Sequence, residues 1–110
     1  MMKLLLKQAF LSSFLLLSLH QAQAADSAEA LAKKSNCLMC HGVDAAIIGP
    51  SYKDVAKKYK DDKTAEARLI SKVKAGGGGG VWGKMPMPAN SPQVKDEDIK
   101  TIVKWILTLS

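Results

Sequence analysis

Aromatic side chains are scarce in this 110-residue sequence, in which Phe, Trp and Tyr make up only 5% of the residues. Beyond the first two dozen residues the aromatics are Tyr52, Tyr59, Trp82 and Trp105. This is a thin supply for a core, and small domains often depend on a disulfide, a metal or another cross-link. A large buried cofactor would fill the missing volume.

The sequence also has no apolar run long enough to cross a bilayer. The apolar block at residues 9–19 is well short of the roughly 20 residues that a membrane-spanning helix needs. It follows two lysines and precedes Ala22-Gln23-Ala24, which has the small-x-small form that a signal peptidase cuts. We therefore predict a signal peptide over residues 1–24, which is removed, and a single exported domain over 25–110. We expect no stable membrane insertion after cleavage.

The charge is moderately positive, at +6 for the whole chain. Loss of the two N-terminal lysines would leave 14 Lys and Arg against 10 Asp and Glu, a formal charge of +4. For most single lysines, keeping the protein surface solvated is a sufficient explanation of their presence. Nothing resembles a recognition helix or a basic stripe interleaved with aromatics, so we expect no nucleic-acid partner. An acidic protein partner fits the charge better.

Strand patterns are absent, and four short helical patterns predict an all-α fold. The first covers about 26–34 with Asp26 as its cap, the second starts at Ser51, the third covers about 64–75, and the fourth starts near Asp96. Apolar residues that recur at helical spacing should face the core: Ala28, Leu31, Ala32, Tyr52, Val55, Ala56, Tyr59, Leu69, Ile70, Val73, Ile99, Ile102, Val103 and Ile106. Between the last two helices, glycines and prolines predict an extended, stiff loop.

Both cysteines lie in one segment, Cys37-Leu38-Met39-Cys40-His41, with the only histidine beyond the first two dozen residues. Two thiols should not stay free in an oxidising compartment. The pair could be a thioredoxin-like redox site, half of a zinc site or a c-type haem attachment. A thioredoxin-like redox site needs a βαβ setting, which the sequence lacks. A structural zinc site needs four ligands, and the predicted domain over 25–110 offers only Cys37, Cys40 and His41 of the usual sulfur and nitrogen types. The adjacent histidine favours haem, with thioethers at Cys37 and Cys40 and His41 as an axial iron ligand.

The second axial position of such an iron cannot be filled by histidine, because none remains. A methionine thioether is the soft alternative. Met39 lies inside the attachment segment, on the same side as His41. Met85 and Met87, in the proline-rich loop, can reach the opposite face, and we expect one of them to be the ligand.

From residue 25 onward the chain resembles the bacterial class I cytochrome c family, specifically its small c-551 type. The resemblance rests on the attachment motif and on four further segments: Ile48-Gly49-Pro50-Ser51-Tyr52-Lys53-Asp54-Val55-Ala56, Gly80-Val81-Trp82-Gly83, Pro86-Met87-Pro88-Ala89-Asn90 and Lys104-Trp105-Ile106-Leu107. It implies about four short helices wrapped around one covalently bound haem c.

The resemblance also implies roles for single residues. It selects Met87 as the sixth ligand, and it has the carbonyl of Pro50 accept a hydrogen bond from His41. It brings Trp82 to a haem propionate and sets Asn90 beside the Met87 ligand. The chain departs from the family pattern by one extra glycine in the run Gly76 to Gly80 and by a second methionine at position 85.

An iron with two axial protein ligands has no open position for substrate, so we expect an electron carrier and not an enzyme. The resemblance implies a monomeric periplasmic shuttle between a quinol-oxidising cytochrome complex and a terminal reductase or oxidase. Candidate lysines for steering acidic partners are Lys33, Lys34, Lys53, Lys72 and Lys84. The alternatives are a haem-based ligand sensor or small catalytic cytochrome with a labile sixth ligand, and a thiol oxidoreductase without haem.

Overall fold

A computed structural model describes residues 27–78 and 80–110. It contains four α-helices and one 3-10 turn: α1 at residues 27–34, the turn at Cys37–Met39, α2 at Tyr52–Lys58, α3 at Ala65–Ala75 and α4 at Asp96–Ile106. No strand occurs within the two described ranges, so the predicted all-α class is confirmed. The predicted signal peptide and the proposed cap Asp26 lie outside the described residues. None of the described helices is both long and apolar enough to cross a membrane.

Single residues at the helix ends, recognisable in the sequence, determine where α2 begins and α3 ends. At the start of α2, the Ser51 hydroxyl oxygen accepts a hydrogen bond of 3.1 Å from the backbone N–H of Asp54, which is the predicted N-cap. Helix α3 ends at Gly76, which has a φ of 67°. A Cβ atom at this position would lie 2.5 Å from the carbonyl oxygen of Met87. Glycine is therefore required at position 76, because any other residue would be strained at this φ and its Cβ would clash with the carbonyl oxygen of Met87.

The core is built around α4, which packs against α2 and α3. Ile99, Ile102, Val103 and Ile106 are all buried, as the periodicity of this helix predicted. The other buried apolar residues among the described positions come from three helices: Ala28, Ala32, Tyr52, Val55, Ala56 and Ala65. Most of them are small, so these helices alone make only a modest core.

Helix α3 differs from this pattern, because its predicted inward positions Leu69, Ile70 and Val73 are only half-buried. Leu69 and Val73 line a cavity whose other walls include the α4 residues Ile102 and Val103. The apolar face of α3 therefore borders a cavity instead of a filled core. A large apolar group in that cavity would complete the packing.

Candidate functional site

The cysteine-histidine segment forms a compact turn directly after α1. Asn36 has a left-handed φ of 64° and leads into the 3-10 turn, and the backbone N–H of His41 donates to the carbonyl oxygen of Cys37 at 3.0 Å. Cys37 and Cys40 are both half-buried and are not joined in a disulfide. Burial raises the pKa of the Cys37 thiol above its usual range. The turn sets both sulfurs and the imidazole beside one another.

Two neighbours hold the imidazole of His41, and a third leaves room for it. Its Nδ1 atom lies 2.8 Å from the carbonyl oxygen of Pro50, so an Nδ1 proton can be donated there and Nε2 is left free to bind a metal. A Cβ at position 49 would lie 2.5, 2.8 and 3.1 Å from three ring atoms, which explains the need for Gly49. The ring of Tyr52 stacks on the imidazole, with centroids 5.2 Å apart and an angle of 19° between the planes.

Two cavities share a set of lining residues that contains most of the predicted site. Their volumes are about 650 and about 180 Å³, and the residues common to both are Cys37, Cys40, His41, Met87 and Pro88. The smaller cavity continues between apolar side chains of α2, α3 and α4. Together they bring two thiols, one imidazole and one thioether to the wall of a partly apolar space.

This set of donors fits a covalently attached haem. The two thiols match the two attachment points of such a haem, an imidazole and a thioether are side chains that bind haem iron, and the apolar walls suit a porphyrin. Within the described ranges, no three side chains of His, Cys, Asp or Glu converge on a point where they could hold a metal ion.

The three methionines of the described region occupy different environments. Met87 is half-buried and lines both cavities. Met85 is 70% exposed and lines only the smaller cavity, whereas Met39 is also 70% exposed and lines only the larger one. Among the methionines of the described ranges, Met87 is thus the one that lines both cavities together with His41.

Asn90 attaches the methionine-bearing loop to the end of α3. Its side-chain Nδ2 donates to the carbonyl oxygens of Val73 at 3.1 Å and Pro88 at 3.2 Å, and its backbone N–H also donates to Val73 at 3.2 Å. Asn90 lines the larger cavity together with Met87. It is placed to hold the loop and not to bind the iron.

Trp82 lies at the wall of the smaller cavity with 42% of its surface exposed. The Nζ atom of Lys58 lies 5.7 Å from the centroid of its ring and 5.9 Å from that of Tyr59. Lys72 lines the same cavity. The chain thus sets one cation, Lys58, against Trp82 and a second, Lys72, at the wall of the same cavity, a suitable setting for an anionic group such as a carboxylate.

The five lysines singled out from the sequence are not all beside the cavities. Lys34 lines the larger cavity and Lys72 the smaller, but Lys33, Lys53 and Lys84 line neither. Lys53 instead forms an ion pair with Asp44. Sequence reasoning missed Lys95, which lines the larger cavity.

Sequence reasoning also missed the contact between Tyr52 and His41. Tyr52 was assigned only to the core face of α2. The sequence signal for it is weak, since an aromatic residue two positions after Pro50 is close in the chain but is not thereby directed at the group that Pro50 contacts. Burial raises the pKa of the Tyr52 hydroxyl well above its usual range, so this side chain stays protonated.

Comparison with known proteins gives one consistent family. The cytochrome c family model matches residues 25–110. Cytochrome c-551 of Allochromatium vinosum is 57% identical over 79 residues, which cover 72% of this chain and 82% of the relative. Cytochrome c-552 of Nitrosomonas europaea is 45% identical over 104 residues, which cover 94% and 99%. The crystal structure of wild-type Nitrosomonas europaea cytochrome c552 superposes with a TM-score of 0.69 at 48% identity, covering 74% of this chain and 99% of that one.

Proposed function

The chain belongs to the cytochrome c family, and we propose that it is an exported, periplasmic one-electron carrier of the class I c-551 type. Its relatives are monohaem cytochromes that carry electrons, and like them it binds one covalent haem c. The observation that supports this function best is that the same four residues, Cys37, Cys40, His41 and Met87, line both cavities. When bound, the haem supplies reversible one-electron chemistry at its iron.

In this proposal the site residues divide into three groups. Cys37 and Cys40 would hold the haem through thioethers, and His41 and Met87 would supply the two protein ligands of its iron. The carbonyl oxygen of Pro50 accepts a hydrogen bond from the Nδ1–H group of His41 and so leaves Nε2 free for the iron. With both of these ligands bound, no coordination position would be left for small ligands or substrates. This supports transfer of an electron without bond making or breaking.

The remaining two site residues support the haem from the loop side. Asn90 holds the segment that bears Met87 against α3. Trp82, beside Lys58 at the wall of the smaller cavity, would approach a haem propionate. Neither residue binds the iron.

The surface around the cavities supports transient docking to another redox protein. Met39, Ile48 and Met85 are 60–70% exposed and line the cavities, and Lys34, Lys72 and Lys95 lie among them. Exposed apolar side chains together with lysines favour partners that present both an apolar patch and acidic residues. We propose a quinol-oxidising cytochrome complex as donor and a terminal reductase or oxidase as acceptor, with the protein acting as a monomer.

Absorption spectra of the protein purified from a bacterial periplasm, oxidised and reduced, test this function. Six-coordinate low-spin haem is expected. Five-coordinate haem would instead identify a ligand sensor or a catalytic cytochrome, and a protein without haem would be a thiol oxidoreductase. Extraction with acidified acetone should leave the haem on the protein, and a thiol assay should detect no free cysteine. Release of haem by the solvent would contradict the attachment at Cys37 and Cys40.

A further inference from the structure

Tyr52 touches three other parts of the molecule at once. Its ring stacks on the imidazole of His41, and the ring of Trp105 meets it edge-on, with centroids 5.8 Å apart and an angle of 86°. Its hydroxyl lies near the thiol of Cys37: burial raises the pKa of that thiol, and the Tyr52 hydroxyl counteracts part of the rise. Only 4% of the residue is exposed. One buried side chain thus links the iron-binding histidine, an attachment cysteine and α4.

We propose that Tyr52 is a positioning residue with two separable functions, an inference that rests on the proposed haem function. Its ring sets the plane of the His41 imidazole. Its hydroxyl donates a hydrogen bond to the sulfur of Cys37 after that sulfur has become a thioether. The first function determines how the axial ligand is rotated relative to the porphyrin, and the second adjusts the electron density at the edge of the haem.

The hydrogen bond to Pro50 does not by itself fix the plane of the imidazole. It fixes the position of one ring atom, Nδ1, and leaves the ring free to tilt about that point. Gly49 has no side chain to oppose such a tilt. The nearly parallel ring of Tyr52 covers one face of the imidazole, and aromatic rings in this offset arrangement resist rotation out of the stack.

The stack can restrain His41 only if Tyr52 is itself held in place. Tyr52 is the first residue of α2, directly after the cap residue Ser51, which is 1% exposed. Trp105 of α4 packs edge-on against its ring, in the edge-to-face geometry that aromatic pairs prefer. The position of the imidazole is therefore coupled through Tyr52 to the packing of α2 on α4.

The direction of the second hydrogen bond follows from the chemistry of the sulfur. The Cys37 thiol contacts the carbonyl oxygen of Ser35 at 3.9 Å, so its proton has a partner and its lone pairs can accept from Tyr52. A thioether has no proton and can only accept. A buried phenol needs a partner for its O–H group, and in this proposal that place is taken by the nearby Cys37 sulfur.

Two substitutions separate these functions in the haem-bound protein. Tyr52→Phe keeps the ring and removes the hydroxyl. We expect its electron paramagnetic resonance g-values to match those of the parent, because the imidazole plane is unchanged, while its reduction potential shifts downward. Tyr52→Leu removes the ring as well, and we expect shifted or broadened g-values and altered haem-methyl NMR shifts.

Tyr59→Phe and Tyr59→Leu are matched controls. Tyr59 lies at the other end of α2, is half-buried and does not stack on His41. We expect both variants to keep the parent g-values and potential, although Tyr59→Leu loses stability. A merely structural role for Tyr52 would lower the melting temperature without moving the g-values.

Four results decide the matter. A folded Tyr52→Leu protein with parental g-values and haem-methyl shifts would overturn the function of the ring, and an unchanged potential in Tyr52→Phe would overturn that of the hydroxyl.

If Tyr52→Leu does not fold, Trp105→Phe replaces it. This variant leaves Tyr52 in place but weakens its support, so a smaller change in the same g-values is expected and no change refutes coupling through Trp105. A parent protein without low-spin haem would refute the proposed function itself, a different failure.

Discussion

Gly77 and Met87 donate their backbone N–H groups to each other's carbonyl oxygens, both at 2.9 Å. This pair joins the beginning of the long loop to the segment that bears the proposed iron ligand. The backbone of Met87 is thus held from one side by Gly77 and on both flanks by the restricted φ angles of Pro86 and Pro88. Met85 lies outside the pair, with most of its surface exposed.

The close approach of these two segments depends on Gly76. Gly76→Ala should destabilise the protein by about 2 kcal/mol or more, because alanine is strained at a φ of 67° and its Cβ would meet Met87 and Pro88. Gly80→Ala is the control, since Gly80 also has a positive φ, 84°, but a Cβ there meets nothing within 4 Å. Denaturant unfolding should show a smaller loss for Gly80→Ala. Equal losses would mean that the contact adds nothing to the conformational strain.

Asn90 supplies the second attachment of the loop. Asn90→Ala should cost about 1–2 kcal/mol, because it removes the side-chain donor to the carbonyl oxygens of Val73 and Pro88. Asn90→Asp should cost more, since a carboxylate would face the same two oxygens without a proton to donate. Thermal unfolding of the haem-bound protein measures both. An aspartate variant as stable as the parent would show that the side-chain bonds do not hold the loop.

Asp62 provides a pH-dependent contribution before α3. Hydrogen bonds from the side chain and the backbone N–H of Thr64, and then the charge of Arg68, lower the pKa of Asp62. The folded-state pKa is depressed, so the stabilisation is present above about 4, the usual pKa of aspartate, and is lost as the pH falls through the folded-state value. Asp62→Asn should therefore be less stable than the parent at pH 7, with a difference that shrinks toward pH 2. A difference independent of pH would contradict this assignment.

The lysines at the cavities should affect the rate of encounter with an acidic partner. Lys72→Gln should lower the second-order electron-transfer rate constant on the order of twofold to tenfold at low ionic strength, and the difference should fade with added salt. Lys57→Gln is the matched control, because Lys57 is exposed on α2 and lines neither cavity. Stopped-flow kinetics over a range of salt concentrations distinguishes them. Rates that do not depend on salt would leave the exposed apolar residues Met39, Ile48 and Met85 as the whole docking surface.

The helices and most of the core could be predicted from the sequence, because their causes are local. Ser51 caps α2 through its own hydroxyl, and Gly76 ends α3 through its own conformation. The buried face of α4 follows from apolar residues at helical spacing. The half-burial of Leu69 and Val73 could not be predicted in this way, since helical spacing marks an apolar face but does not tell a filled core from a cavity.

Some residues of the candidate site could be predicted from the sequence, but the contacts that hold them could not. The spacing of Cys37, Cys40 and His41 shows its chemistry directly, whereas the choice of Met87 over Met85 came from family resemblance. The stack of Tyr52 on His41 was missed, because it depends on how α2 returns to the attachment turn. The pairing of Gly77 with Met87 was missed for the same reason, since it joins residues ten positions apart in a loop without periodicity.

The central claim is that His41 and Met87 together complete the coordination of one haem iron. The far-red sulfur-to-iron charge-transfer band of the oxidised protein tests it most directly, measured in the parent, in Met87→Ala and in Met85→Leu. We predict a band in the parent and in Met85→Leu, and its loss in Met87→Ala together with a lower reduction potential, because a methionine ligand raises the potential. Loss of the band in Met85→Leu, or its survival in Met87→Ala, would contradict the claim.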